Sequence, residues 1–232
     1  MSDTELLERP VSSSTELAPQ DIYNYAEDFL KTISAPSTAI STKGKRFRFP
    51  NGDASPGPIN AVVVDFVSYN AYFPNAYDPD DPKAPNCWAI HANKDLLAPD
   101  PDLVKDIQSS QCTGCEQNTW QTNAKGKPFK GCKNQYRLAL IDPEATAESE
   151  VYTLAVSPTA HKNWSHFAAK CREHGLHYRQ AICEINWDPN AQQTLTFKAI
   201  GKHALDASLV LSLLKRCQDS RLLYRSPDSN QN

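Results

Sequence analysis

Residues 59–73 read INAVVVDFVSYNAYF. β-branched and aromatic side chains dominate the run, no Gly or Pro interrupts it, and such residues suit a pleated, partly buried surface. The run predicts one long strand, straight or bent. Upstream, KGKRFRFPNG (43–52) predicts a strand alternating basic and aromatic residues, closed by the turn pair Asn51-Gly52. Downstream, YRLALI (136–141) and VYTLAV (151–156) predict two strands joined by an acidic turn. In SPTAHKNWSHFAAKCREHG, Ser157 as N-cap, Pro158 at the first helical position and Gly175 past the end bracket a helix. Its apolar stripe is Trp164, Phe167, Ala168 and Cys171. YRQAICEINW and TLTFKAI add two strands around the turn DPNAQQ, and a last helix over 206–217 buries Val210, Leu213 and Leu214.

The order is strand, strand, large insertion, one or two strands, helix, strand, strand, helix. Without the insertion, about five strands with a helix before the last two follow the order of the OB-fold, a small barrel that binds oligonucleotides or oligosaccharides. The expected class is α+β, mainly β with helices: an OB-fold-like Greek-key barrel with a zinc-stabilised loop insertion. Residues 1–42 form an acidic, partly disordered N-terminal segment, with a short amphipathic helix carrying Ile22, Ala26, Phe29 and Ile33 on one face. Residues 43–217 form the barrel, with 74–133 as the insertion, and 218–232 a flexible tail. The insertion begins in a proline-dense stretch that supports little regular structure. About 60 irregular residues need something other than a core to order them.

Composition narrows the functional classes. The chain has 232 residues, 40% of them apolar, enough for a core and against wholesale disorder. No apolar run reaches the roughly 20 residues that span a bilayer, so no membrane partner is expected. The start, MSDTELLERPVSSSTELAP, has no basic region followed by an apolar stretch and does not read as a signal peptide. The expected location is the cytoplasm, where thiols stay reduced. The net charge of −3 conceals a division. Acids dominate residues 1–42 and 74–106, whereas 111–137 carry Lys125, Lys127, Lys130, Lys133 and Arg137 against Glu116 alone. A localised polyanion site fits that pattern; a solvated lysine-rich loop is the alternative.

Seven cysteines are an odd number for a disulfide framework. Cys112 and Cys115 form a C-x2-C pair around a glycine, a spacing that points two thiolates at one ion, and Cys132 follows beside Gly131. A tetrahedral site needs a fourth ligand: Cys87 is the first candidate and His91 the reserve. Structural Zn2+ is the expected cofactor; unligated buried cysteines and a catalytic zinc are the alternatives. No H-E-x-x-H occurs, and no H-x-E with P-C-x-x-C. Histidines 161, 166, 174 and 177 have no evident carboxylate partner and are expected in solvent, so no catalytic residue is assigned and the protein is not expected to be an enzyme. Cys171, Cys183 and Cys217 fall on apolar faces and read as core.

Single-stranded nucleic acid is bound by cations that track phosphates and aromatic rings that stack on bases. KGKRFRF supplies Lys45, Arg46, Phe47 and Arg48; Tyr72 ends the long strand; Trp88, Trp120, Phe129 and Tyr136 flank the cysteines; and Lys125, Lys127, Lys130, Lys133 and Arg137 supply charge. The opposing expectation is that Phe47, Phe49 and most tyrosines are barrel core. Trp120, within QNTWQTN, has no local apolar patch to bury it. The expected surface joins the barrel cations to the insertion.

SYNAYFPNAYDPDDPKAPNCWAI, CTGCEQNTWQTNAKGKPFKGCKNQYRLALI and YTLAVSPTAHKNW together resemble a family of bacteriophage proteins similar to phage single-stranded DNA-binding proteins. The resemblance spans roughly residues 43–200. It rests on Cys87 after a proline, on the C-x2-C with Asn118 and Trp120, and on Gly126, Lys127, Lys130, Cys132, Lys133, Asn134, Arg137 and Leu138. It implies an OB-type barrel with a cysteine-rich insertion, binding single-stranded DNA in replication or recombination, in the bacterial host cytoplasm, with phage or host proteins as further partners. The tail RSPDSNQN departs from the family by lacking an acidic, apolar-tipped end. The rival classes are a small zinc-dependent nuclease-like enzyme and an adaptor that modifies a host polymerase.

Overall fold

The computed structural model describes residues 38–75 and 83–225. The helix expected over 22–33 and the last residues of the tail lie outside the described residues. In chain order the elements are β1 (Ala39–Ile40), β2 (Phe47–Arg48), β3 (Ala54–Ser55), β4 (Ile59–Tyr72), β5 (Cys87–His91), β6 (Gln121–Thr122), β7 (Pro128–Phe129), β8 (Cys132–Ile141), β9 (Tyr152–Val156), helix α1 (His161–Glu173), β10 (Ala181–Trp187), β11 (Leu195–Lys202) and helix α2 (Ala207–Asp219). The protein is a mixed α+β fold, mostly strands, built on a curled half-barrel sheet.

That sheet runs β1-β9-β8-β4-β10-β11, with β5 also on β4. The run at 59–73 is its spine. β8 pairs antiparallel with β4 from Val62↔Ile141 to Tyr72↔Cys132. The other edge of β4 is shared: β10 takes residues 59–62 and β5 takes 68–72. Between them the β4–β8 register slips at Val63/Asp65, a bulge that bends the strand. Arg179 fills the gap, its Nε donating to the Val64 carbonyl at 2.5 Å and its Nη2 meeting Asp65 at 3.2 Å. A bend thus falls where β-branched residues give way to Asp65.

Each face of the sheet carries a helix. Ala61, Val63, Leu138, Leu140, Leu154 and Val156 face α1, which buries Trp164, Phe167 and Cys171. α1 begins after a 3-10 turn at Pro158–Ala160 rather than at Pro158 itself. It ends in a Schellman motif: Gly175 (φ 69) donates to Arg172 O and Leu176 to Cys171 O. The opposite face, Val62, Val64, Val67, Ala139 and Ile141, is covered by Val210, Leu213 and Cys217 of α2; Leu214 is only half-buried. Among the described residues no helix is long and apolar enough to cross a membrane.

Several boundaries differ from expectation. Residues 218–225 are not a loose tail: Leu222 and Leu223 are buried under the sheet, and Arg137 donates to the carbonyls of Leu223 and Arg225 at 3.3 and 2.7 Å. β1 lies within the segment assigned to the N-terminal extension, yet it pairs in parallel with β9. The insertion contains β5, because residues 87–91 find five partners on β4 despite proline-dense flanks. The strand expected over 43–49 shrinks to Phe47–Arg48, paired with Ala54–Ser55 across the Asn51-Gly52 turn.

Candidate metal centre and nucleic-acid interface

The four expected ligands come from three places. Cys87 opens β5 and Cys132 opens β8, and both are cross-strand partners of Tyr72. Cross-strand partners share a face of the sheet, so the two thiols flank the Tyr72 ring. Their Cα atoms sit about 9.5 Å apart, two strand spacings. Cys112 and Cys115 lie on the loop between: Cys112 N donates to Leu97 O, and Cys115 N to Cys112 O at 3.4 Å. Positive φ at Gly114 (79°) permits that tight turn.

All four thiols are free, and Cys87, Cys112 and Cys115 each act electrostatically on at least one other of the set. Burial pushes the Cys132 thiol up to about 12, the neighbouring thiols add to the rise, and the Lys130 ammonium opposes it. Cys112 is raised by burial too, and Asn70 and Lys130 pull it back. For Cys112 and Cys132, both half-buried, the neutral thiol is therefore favoured until something supplies positive charge. An all-thiolate donor set suits zinc. Among the described residues no three such side chains are already drawn around one centre; with Tyr72 between Cys87 and Cys132, the thiols are neighbours rather than a closed shell. His91 is occupied elsewhere, its Nδ1 accepting from Asn93 N at 2.9 Å.

From this root a finger, residues 116–131, projects. It opens with a 3-10 turn at Glu116–Asn118 and continues as the hairpin of β6 and β7. Asn123 Oδ1 accepts from the backbone of Lys125 and of Lys127 at 2.9 and 3.0 Å, which fixes the tip. Lys125, Lys127 and Lys133 are exposed. Trp120 is 70% exposed and Phe129 42%. Gly131 is where the finger meets the sheet: an added Cβ would lie 2.7 Å from Gln117 Oε1 and 3.1 Å from the Tyr72 ring.

Several other expected contacts are spent inside the protein. Phe47 is fully buried and stacks on Trp187 at 5.1 Å, so it offers no base platform. Trp88 is buried against Tyr69, Ala71 and Val104. Tyr136 stacks on His161 at 4.0 Å, and Tyr72 is wedged between Cys87, Cys132 and Gly131. The Arg137 guanidinium lies 4.1 Å from the Tyr69 ring centroid and holds the 223–225 carbonyls. Lys130 is half-buried beside the thiols. His161 is half-buried rather than in solvent; His166, His174 and His177 are exposed.

Lys45, Arg46 and Arg48 are exposed, but the structure does not bring them to the finger. Phe47, beside them, stacks on Trp187, which ends the strand paired with Ile59, whereas the finger springs from the Tyr72 end of β4. Sequence reading missed Asn70, 3% exposed and central to the hydrogen bonding behind Cys112. A buried Asn inside an apolar strand was its only signal. No family model, curated protein or solved structure matches the chain.

Proposed function

We propose that this protein binds single-stranded DNA without sequence preference, through a finger whose root is organised by a structural zinc. The observation that carries the proposal is the pairing of exposed Trp120 and Phe129 with Lys125 and Lys127 on one short arm, with exposed Lys133 beside its root on β8. Cations beside open aromatic faces are what a sequence-tolerant stacking site requires. Cys87, Cys112, Cys115 and Cys132 would hold the zinc, whose contribution is order rather than chemistry.

Strand order supports an OB-type barrel. β4, β8, β9, helix α1, β10 and β11 follow one another as the five strands and helix of that fold, opened between its third and fifth strands. Among the described residues β9 and β11 do not pair; β1 lies beside β9 instead. The insertion then occupies the loop between first and second strands, one of the two loops with which OB-folds hold oligonucleotides. Over β8 the alternative platform is covered by α2 and Leu222-Leu223, which leaves the loop as the accessible route.

Titration of oligo-dT against a duplex of equal length, at several salt concentrations, tests the proposal. Tighter binding to the single strand, with quenched tryptophan emission, is expected. Equal or absent binding would reject it in favour of the adaptor, and cleavage of the oligonucleotide would move it to the nuclease class.

A further inference from the structure

Behind Cys112 three asparagines from three elements join: Asn70 on β4, Asn134 on β8 and Asn118 at the end of the 3-10 turn. Their polarity is fixed at one point. The Cys112 backbone carbonyl can only accept, and Asn118 Nδ2 donates to it at 2.8 Å. Asn118 therefore turns Oδ1 toward Asn134, whose Nδ2 gives its two hydrogens to Asn118 Oδ1 at 2.9 Å and Asn70 Oδ1 at 2.5 Å. Asn70 is left with Nδ2 as its remaining group. That nitrogen is buried and, among the described residues, has no partner of hydrogen-bond geometry. The Cys112 thiol, whose backbone carbonyl anchors the network, is the side chain whose thiolate form Asn70 would favour. The chain of amides thus begins on the carbonyl of Cys112 and ends on a buried, unpartnered N–H of Asn70.

We infer that Asn70, oriented by Asn134 and Asn118, is a positioning residue whose amide N–H donates to Cys112 Sγ when that sulfur binds a divalent, thiolate-seeking ion. A neutral thiol is a weak acceptor, which accounts for an amide left without a bond. A metal-bound thiolate is a strong one, because charge strengthens the hydrogen bond. Four thiolates around a divalent ion keep a net double negative charge, and the Asn70 amide and the Lys130 ammonium are the groups placed to offset it. A cross-strand Asn70–Asn134 pair serving only the sheet would need neither the third asparagine nor the orphaned N–H. Partners of this kind commonly change metal affinity by about 10–100-fold.

The inference rests on the zinc site proposed above, and the experiment separates the two. Full-length protein is loaded with zinc, cobalt or NMR-active cadmium. In the cadmium form a through-bond correlation between the metal and the Asn70 side-chain amide proton is expected, without any substitution. Asn70→Asp keeps the acceptor for Asn134 and replaces the N–H by an oxygen. It should lower zinc affinity, measured by chelator competition, by about 10–100-fold, and shift the sulfur-to-cobalt charge-transfer band to lower energy. Stoichiometric zinc with no correlation to Asn70, or an Asn70→Asp protein with unchanged affinity and cobalt spectrum, overturns the role of Asn70 and leaves the metal site standing. Wild-type protein that takes up no zinc overturns both.

Discussion

Trp120 leaves 70% of its surface in water, surrounded by Gln, Asn, Thr and Lys, on an arm tied down at its base. At that exposure the indole adds little to the packing of the described residues, so removing it should cost function and spare stability. Trp120→Ala is expected to weaken oligo-dT binding about tenfold, within the roughly 1–3 kcal/mol of a stacked base, at an unchanged melting temperature. Phe47→Ala should do the reverse. Its fully buried ring leaves a cavity, a loss of about 3–5 kcal/mol, while the folded fraction binds as before. Both aromatics belong to segments rich in cations, and the difference was visible only for Trp120. In KGKRFRF the alternation defines two faces but not which one a neighbour covers, because register is decided by the partner strand. His161 carries a pH signature of the same hidden kind. Burial holds its imidazole below the ordinary value of about 6.5, against the pull of a hydrogen bond to the Val156 backbone. The neutral ring belongs to the folded state. Its stabilisation is therefore complete above about pH 6.5 and is lost as the pH falls through the lowered folded value. Thermal melts below about pH 6.5 should fall less steeply for His161→Phe, which keeps a ring on Tyr136 and cannot titrate; parallel curves would place the titration elsewhere.

At the scale of elements, the finger is a hairpin with two separable jobs, presenting charge and seating itself on the sheet. Lys125, Lys127 and Lys133 are exposed, and each phosphate contact on a single strand is worth about 0.7 in the slope of log affinity against log salt. A Lys125→Ala, Lys127→Ala, Lys133→Ala protein should flatten that slope by about 2; an unchanged slope would assign the finger to architecture. Neutralising Lys45, Arg46 and Arg48, at the other end of β4, should change it less. Seating depends on Gly131, where a methyl group would press on Gln117 and the Tyr72 ring. Elements with a strong period could be read directly: β4 from its β-branched run, and α1 from its apolar stripe and terminal glycine. β5 could not, since five residues between prolines carry no period and become a strand only by pairing with β4. Residues 222–224 were hidden for a similar reason. Leu222 and Leu223 are two apolar residues in a polar tail, and their burial depends on distant partners: the apolar face of the sheet, and Arg137, which holds the Leu223 carbonyl.

Across the whole molecule, apolar burial is divided unevenly. The two larger core clusters take all their fully buried residues from outside 83–131; only the third, Tyr69, Ala71, Cys87, Trp88 and Val104, draws on the insertion. The order of barrel strands was legible because each carries its own apolar pattern, whereas the placement of β1 beside β9 was not, because two residues have no pattern. That division of the core dictates how the protein should respond to loss of metal. The sheet and its helices keep their packing, while the insertion retains one small cluster and four thiols, two buried and two half-buried, with no ion to join them. Chelation should therefore release amide-exchange protection across 83–131 while leaving 61–67 and 138–141 protected, and a cooperative thermal transition should persist. Oligo-dT affinity should fall with the insertion, since Trp120 and the lysines lose their mount, and should return on adding one equivalent of zinc. A chelated protein that keeps both the protection of 83–131 and its affinity would mean that Cys87, Cys112, Cys115 and Cys132 are ordinary packing, and that the finger is held by Gly131, Tyr72 and the three asparagines alone.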